Sequence, residues 1–486
     1  MSDSKEWHLH PETEYRFELD PGTSLVIKVS DLCSPLPSLT SHSSKGVMQR
    51  SLAQNSQRLP TPTHPPIHVT GRPSTEYVSD ETPMSTYANI HFVFEQMRVR
   101  ALRDLHGSPP SDDGQHAITD PPRVLILGPE NSGKTSISKI LTNYTVRAAQ
   151  NWSPLLVNLD PSQGAWTIPG TISAAVVRSP IGTASPANPL GSAATSAPTA
   201  LASNALIPLT YWYGNPDTKS NPQLLDRLVR NLGVHVIERH DMDPQARVSG
   251  LIIDTPSSFA SGPSSGSSAD SRHTLIKACV DAFQINVILV VGHEKLNAEM
   301  QRLYGTQLTV VKIPKSGGVV ELDHAYRERV HSYQLHAYMY GQKIDPPPGV
   351  SSGLVGGEAA TELILSPSST IINLGDLTIY RVGPESMAPS SALPIGAART
   401  LSEMQPTLLD PASSGARLVN RVLALLAPFN EDENERYDEE ILDLPAVGFL
   451  VVTSLDIPNK KMTVLAPTQG PIVGGTAITG SFEWTE

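Results

Sequence analysis

The chain alternates between stretches with a regular apolar period and stretches with none. Residues 14–32 alternate apolar and polar positions around a Pro-Gly pair, which predicts a short antiparallel hairpin. From Ser34 to Pro66 the residues are mostly Ser, Pro, Thr, Gln and His. Such a segment buries too little apolar surface to offset its ordering entropy, so disorder is expected there, with order resuming at Gly71. Ile90, Phe94, Met97, Ala101 and Leu105 then recur at helical spacing within Tyr87–Leu105.

Between 121 and 314, β-rich apolar runs at Val124–Leu127, Leu155–Leu159, Leu251–Ile253, Val287–Val291 and Leu308–Ile313 alternate with helical patterns. Strands buried on both faces read this way, and the alternation predicts a parallel, doubly wound α/β fold. Two polar insertions, Ser179–Asn204 and Ser257–Ser271, are expected to be surface loops. Beyond Tyr340 the pattern predicts strands at Ile371–Val382, Gly448–Ser454 and Met462–Leu465, a helix over Arg417–Leu426, and a solvated acidic loop over Glu431–Glu440. The organisation expected is an N-terminal β-domain with its connecting helix (1–105), an α/β domain (121–340) and a β-rich α+β C-terminal domain (341–486).

Composition agrees with that dilution. A chain of 486 residues exceeds one compact core, and its 43 Pro and 34 Gly place much of the length in loops. A net charge of -12 has the wrong sign for bulk electrostatic binding to nucleic acid, so any such contact must be local. Cys33 and Cys279 are the only cysteines, which excludes a disulfide scaffold and a Cys-rich zinc site and fits a reducing compartment. No apolar run approaches a membrane span, and the first residues lack a signal-peptide pattern, so an intracellular soluble protein is expected.

The chemistry concentrates in residues 123–136, RVLILGPENSGKTS, where G-x-x-x-x-G-K-[ST] directly follows an apolar strand. In such a P-loop, Gly128, Asn131, Ser132, Gly133, Lys134, Thr135 and Ser136 form the phosphate cradle. Backbone N–H groups from Asn131 to Thr135 face the phosphates, Lys134 reaches the β- and γ-phosphates, and the Thr135 hydroxyl ligates Mg²⁺. Ile137, Ile140, Leu141 and Tyr144 give the following helix an apolar face that fixes its N-terminus toward the triphosphate. Asp160 and Gln163 follow the next strand, where α/β sheets bind ligands. Asp160 there suits Mg²⁺ or the role of a base, and Gln163 suits orienting a phosphate or water. Asp254 ends another apolar strand as a Walker-B aspartate does, and the sequence does not choose between the two carboxylates. No N-K-x-D guanine motif is present, which favours ATP. His235, His240, His324, His331 and His336 lack a metal-ligand pattern and are expected to serve packing or surface roles.

The stretches ETEYRFELDPG (12–22), GRPSTEYVSDETPM (71–84), the P-loop, NLDPSQGAWTIPGT (158–171), PKSGGVVE (314–321) and VGFLVVTSLD (447–456) together resemble one family. It is the Clp-one type subunit of the mRNA cleavage and polyadenylation machinery, related to polynucleotide 5'-hydroxyl kinases. The resemblance implies three domains, with ATP between the first two and Glu14 near the adenine. It also implies a nuclear protein, with RNA contact weak or indirect. Its partners would be the cleavage factor IA scaffold subunit that reads the polymerase II tail and other 3'-end processing subunits.

The chain departs from the catalytic pattern of that family at three places. Catalytic members carry two lid arginines five residues apart, whereas the matching positions are Leu322 and Arg327. An RNA-clamping tryptophan is matched by Ser258, beside Phe259. Ser34–Pro66 stands where the family has strands and an adenine-site lysine, and Lys45 there lies in a polar, serine-rich context. A lost arginine in phosphoryl transfer can cost a factor of about 10³ to 10⁵. The expectation is therefore an ATP–Mg²⁺-holding structural subunit with very low kinase activity. Its rival is an active 5'-hydroxyl kinase using Asp160, Gln163 and Arg327.

Overall fold

In this computed structural model the described residues are 4–10, 12–19, 25–29, 39–41, 45–48, 66–107, 120–148, 150–181, 190, 208–260, 267–341, 367–382, 404–413, 416–428, 438–467, 472 and 474–484. The chain opens with strands β1 (Ser4–Trp7), β2 (Glu14–Glu18), β3 (Leu25–Val29), β4 (Leu39–Ser41), β5 (Lys45–Met48), β6 (Ile67–Thr70) and β7 (Thr75–Ser79). They form two antiparallel sheets, β1-β6-β3-β4 and β5-β2-β7. The sheets close on Tyr15, Phe17, Leu25, Ile27, Ile67 and Val69.

This arrangement corrects three expectations. Residues 14–32 form no hairpin: β2 and β3 lie in different sheets, so the chain crosses the sandwich between them. A period of two shows which face a strand buries but not which strand it joins. The predicted disordered segment contributes β4 and β5, with Lys45 opposite Glu18 in register, while 34–38, 42–44 and 49–65 lie outside the described residues. Polar strands of three or four residues carry too few apolar positions to be read from pattern. Order also precedes Gly71, because β6 pairs with β1 and β3 in the interior of its sheet.

Helix α1 (Met84–Leu105) buries Tyr87, Phe94, Arg98 and Ala101, close to the expected stripe, and leads into the α/β unit. There follow β8 (Arg123–Leu127), α2 (Lys134–Arg147), β9 (Leu155–Asn158), β10 (Thr171–Val176), β11 (Leu209–Trp212), α3 (Pro222–Met242), α4 (Pro244–Val248), β12 (Leu251–Asp254), α5 (Ser267–Ala282), β13 (Val287–Val291), α6 (Glu294–Tyr304), β14 (Thr309–Ile313) and α7 (His324–Tyr340). The sheet order is β11-β10-β9-β12-β8-β13-β14, in which β9, β12, β8, β13 and β14 run parallel as expected. An antiparallel extension, β10 and β11, was not anticipated, because the run after the Asp160 turn mixes Ser and Thr with its apolar residues. Most of Ser179–Asn204 lies outside the described residues. The loop expected at Ser257–Ser271 is instead a 3-10 turn at Ser257–Phe259 and the start of α5 at Ser267, with 261–266 outside the description.

The last sheet comprises β15 (Ser368–Asn373), β16 (Leu377–Arg381), β17 (Thr407–Leu408), β18 (Arg421–Leu426), β19 (Ala446–Asp456), β20 (Lys461–Ala466) and β21 (Gly475–Glu483). Its order is β15-β20-β19-β18-β21-β16-β17. The predicted helix over Arg417–Leu426 is wrong. RVLALL is the central strand β18, paired on both sides, and Arg417 and Asn420 before it have positive φ values of 44° and 64° that no helix accommodates. A fully buried strand is a continuous apolar run, which periodicity alone cannot separate from a buried helix. Ile371–Val382 likewise divides into two strands, β15 and β16, that pair with different neighbours. Of the acidic run, 431–437 lie outside the described residues, and Asp438–Asp443 forms a 3-10 turn rather than a loop. One face of this sheet, through Phe449, Ile478, Phe482 and Trp484, shares a core with the α/β unit. Arg227 on α3 fixes the contact by a two-point ion pair with Asp443, at 2.7 and 2.6 Å.

Candidate nucleotide site

The P-loop passes from β8 into α2 through backbone that only particular residues permit. A Cβ on Gly128 would lie 2.8 Å from Ser132 Oγ and 3.0 Å from the Val291 carbonyl. Asn131 and Gly133 have φ of 52° and 90°. Gly133 caps α2 without a side chain, so the first N–H groups of the helix open toward the loop. Lys134 is buried, and its Nζ donates to the Pro129 carbonyl at 3.0 Å. Burial lowers its pKa, against the attraction of Asp254 and Asp160. Ser136 is exposed on the first turn of α2.

Thr135 connects both candidate carboxylates. Its hydroxyl donates to Asp254 Oδ2 at 2.5 Å, and the Gln163 amide nitrogen donates to Thr135 Oγ1 at 2.9 Å and to Asp160 Oδ2 at 3.2 Å. Asp160 Oδ1 accepts from the backbone N–H and hydroxyl of Ser162 at 3.1 and 2.7 Å. Asp254 is fully buried, and desolvation raises its pKa to about 6 although Lys134 and Thr135 favour the charged form. Its Oδ1 has no hydrogen-bond partner among the described residues. A Thr hydroxyl, a buried carboxylate with a free oxygen and a second carboxylate joined through Gln163 are hard oxygen donors, which suit Mg²⁺. Asp254 stands directly on Thr135 and Asp160 one residue removed. That order came from the packing of two strands and was closed to sequence.

A polar row extends from this point. Asp254, Asn158, Ser173 and Thr210 are register partners on successive strands β12, β9, β10 and β11, so they share one sheet face. On β12 it is the face toward α2, and each residue is buried with one side-chain polar atom that has no partner among the described residues. Lys139 on α2 is also buried, its pKa lowered to about 8 by desolvation.

The stretch Pro314–Glu321 lies against the loop: a Cβ on Gly133 would sit 3.0 Å from Val319 Cγ2. Arg327 on α7 donates to Asn131 Oδ1 at 2.8 Å and to the Leu322 carbonyl at 3.2 Å, and pairs with Glu130 at 2.7 Å. The same helix holds the Asp160 turn through His331 Nε2 on the Ser162 carbonyl (2.7 Å) and Gln334 Nε2 on the Gln163 carbonyl (2.8 Å). Glu130, His331 and Gln334 were not anticipated. Glu130 fills a variable motif position, and the other two make contacts about 170 residues distant in sequence that no local pattern encodes.

Glu14 is fully buried in β2, with Oε2 accepting from Arg16 Nε and Nη2 at 3.1 and 3.0 Å and Oε1 without a partner among the described residues. The Arg16 guanidinium also donates to the Glu81 carbonyl and lies beside the lid at Gly317. Ser258 accepts from Thr218 at 2.7 Å, while Phe259 is 1% exposed within the core and offers no ring for stacking. Among the described residues no group of three or more His, Cys, Asp and Glu is placed to hold a metal ion. His235 approaches Tyr211, and His336 stacks on Tyr340. No helix among the described residues is long and apolar enough to cross a membrane.

A P-loop at the C-terminal edge of a parallel sheet, with a strand-end aspartate on its Thr and an arginine of α7 on its Asn131, defines a P-loop nucleotide-binding protein. Three family models match the chain: the mRNA cleavage and polyadenylation factor CLP1 P-loop over residues 128–341, the pre-mRNA cleavage complex II protein Clp1 over 365–486, and the N-terminal beta-sandwich domain of polyadenylation factor over 51–101. The mRNA cleavage and polyadenylation factor CLP1 of Laccaria bicolor is 62% identical, covering 99% of this chain and 98% of its own length. The CLP1 homolog of Arabidopsis thaliana is 30% identical over 86% of this chain and 81% of its own. The chain belongs to the CLP1 family of mRNA cleavage and polyadenylation factors. A solved complex of Clp1p with Pcf11p shares its fold, with a TM-score of 0.74 at 21% identity over 100% of this chain and 99% of the other. A second, described by the Pcf11p–Clp1p interface and by ATP loss in a point mutant, has a TM-score of 0.73 at 21% identity, with full coverage of both chains.

Proposed function

We propose that this protein is a nuclear structural subunit of the pre-mRNA 3'-end cleavage and polyadenylation complex, of cleavage factor IA type, that holds ATP–Mg²⁺ without turning it over. The observation that carries the reading is the lid. Arg327 is engaged with the P-loop, while its companion position is Leu322, an apolar side chain that cannot neutralise a transferring phosphoryl group. The missing RNA clamp supports it, since Ser258 is bound to Thr218 and Phe259 is buried.

Glu14, Gly128, Asn131, Ser132, Gly133, Lys134, Thr135 and Ser136 form the proposed nucleotide site, with Thr135, Asp160 and Asp254 holding Mg²⁺. The cation supplies charge neutralisation at the phosphates. Lys134 leaves its Pro129 contact to meet the phosphates, and the free oxygen of buried Glu14 accepts from the adenine edge. Bound nucleotide then stabilises the folded state, and with it the surface offered to a scaffold partner, because it binds that state alone. A Pcf11-type subunit that reads the polymerase II tail is the proposed partner, as in the Clp1p–Pcf11p complex that shares this fold.

The test is incubation with γ-labelled ATP and 5'-hydroxyl RNA. ATP recovered intact from purified protein, without label on RNA, is the expected result. Efficient label transfer that Lys134→Ala abolishes would establish the rival, an active polynucleotide 5'-hydroxyl kinase with Asp160 as base and Gln163 and Arg327 at the transferring group.

A further inference from the structure

Arg327 on α7 already has partners in the phosphate loop. Its guanidinium sits 2.7 Å from Glu130 and 2.8 Å from Asn131 Oδ1, both residues of the P-loop itself. Lys134 addresses the β- and γ-phosphates in a P-loop, so a lid cation resting on the same loop meets the third phosphate rather than the first. A carboxylate and that phosphate then compete for one guanidinium. Glu130 is 59% exposed and Arg327 31%, so solvent screens the pair and either partner can exchange.

We propose that Glu130 is a specificity-determining residue that lowers this protein's preference for ATP over ADP by competing with the γ-phosphate for Arg327. The inference rests on the ATP-holding reading above. ADP lacks the competing group, so through Arg327 Glu130 penalises ATP and not ADP, by the free energy of one screened ion pair, while its attraction for Lys134 bears on both nucleotides. The lid helix α7 also holds the Asp160 turn through His331 and Gln334, so the partner Arg327 selects bears on how firmly that turn is presented to the nucleotide.

The experiment measures ATP and ADP dissociation constants on the full chain, stripped of nucleotide, by displacement of a fluorescent adenine nucleotide with Mg²⁺ present. Glu130→Gln is expected to raise the ATP-over-ADP preference by about two- to five-fold, the range of an exposed ion pair. Glu130→Asp should stay closer to wild type, and in an Arg327→Ala background Glu130→Gln should change nothing, since the competition has lost its object. Glu130 is solvent-facing, so the variant's thermal unfolding should match wild type. A preference unchanged or reduced in Glu130→Gln, or one raised equally without Arg327, overturns the inference while leaving ATP binding intact. Failure of the wild-type chain to bind either nucleotide overturns the ATP-holding reading itself.

Discussion

Replacing Asp254 by Asn should separate stability from function in one substitution. The carboxyl is fully buried, one oxygen is satisfied by Thr135 and the other has no hydrogen-bond partner among the described residues. Burial moves its pKa from 3.8 to about 6. A group whose folded pKa is raised binds its proton more tightly in the native state. The native state therefore loses stability as pH rises from 3.8 to about 6 and stays diminished above that. The corresponding penalty at pH 7.5 is about 3 kcal/mol. Asn keeps the shape, can still accept from Thr135 and carries no charge, so the nucleotide-free variant should be the more stable protein at pH 7.5. At about 2–4 °C per kcal/mol for a domain of this size, the α/β unit should melt several degrees higher.

The gap should close as the pH is lowered from 6 toward 4, where the wild-type carboxyl is protonated too. Saturating Mg²⁺–ATP should reverse the order, since a ligand at about one thousand times its dissociation constant adds about 4.1 kcal/mol to the wild type, more than the penalty, and little to a variant that lacks the proposed metal carboxylate. Calorimetric melts of both proteins at pH 7.5 and 5, with and without nucleotide, test this. A variant less stable than wild type without nucleotide, by an amount that does not change with pH, would refute the reasoning.

Three further outcomes are expected. Gly170→Ala should destabilise the protein by about 2–4 kcal/mol in thermal or urea unfolding, because φ is 93° there and the new Cβ would lie 2.6 Å from the Phe482 ring, at the contact with the C-terminal sheet. His240 is buried and its pKa is depressed to about 4 by desolvation, so its neutral form is retained only in the folded state. Folding stability should fall by up to about 3 kcal/mol as pH drops from 6.5 toward 4, and His240→Leu should flatten that part of a stability–pH curve. Leu322→Arg combined with Ser258→Trp should raise label transfer from γ-labelled ATP to 5'-hydroxyl RNA above the wild-type level; a double variant with no gain would show that Leu322 and Ser258 do not account for the proposed lack of turnover.

The linear pattern carried what depends on neighbours in sequence. The P-loop was legible because phosphate binding needs Gly, Lys and Thr at fixed spacing on a single strand–turn–helix. The five parallel strands were legible because strands buried on both faces are apolar runs whatever their partners. Leu322 and Ser258 stand out only by comparison with the family that the chain resembles. Pairing was not legible. RVLALL reads equally well as helix or strand until β19 and β21 flank it, and β2 and β3 alternate as a hairpin would although they belong to opposite sheets.

The tertiary fold alone ordered the carboxylates, by bringing β12 beside β8 so that Asp254 meets Thr135 across 119 residues. It also joined Arg327 to Glu130 and set His331 and Gln334 on the Asp160 turn. Such contacts follow from where whole elements pack, and the loop lengths between them leave no periodic trace in the sequence.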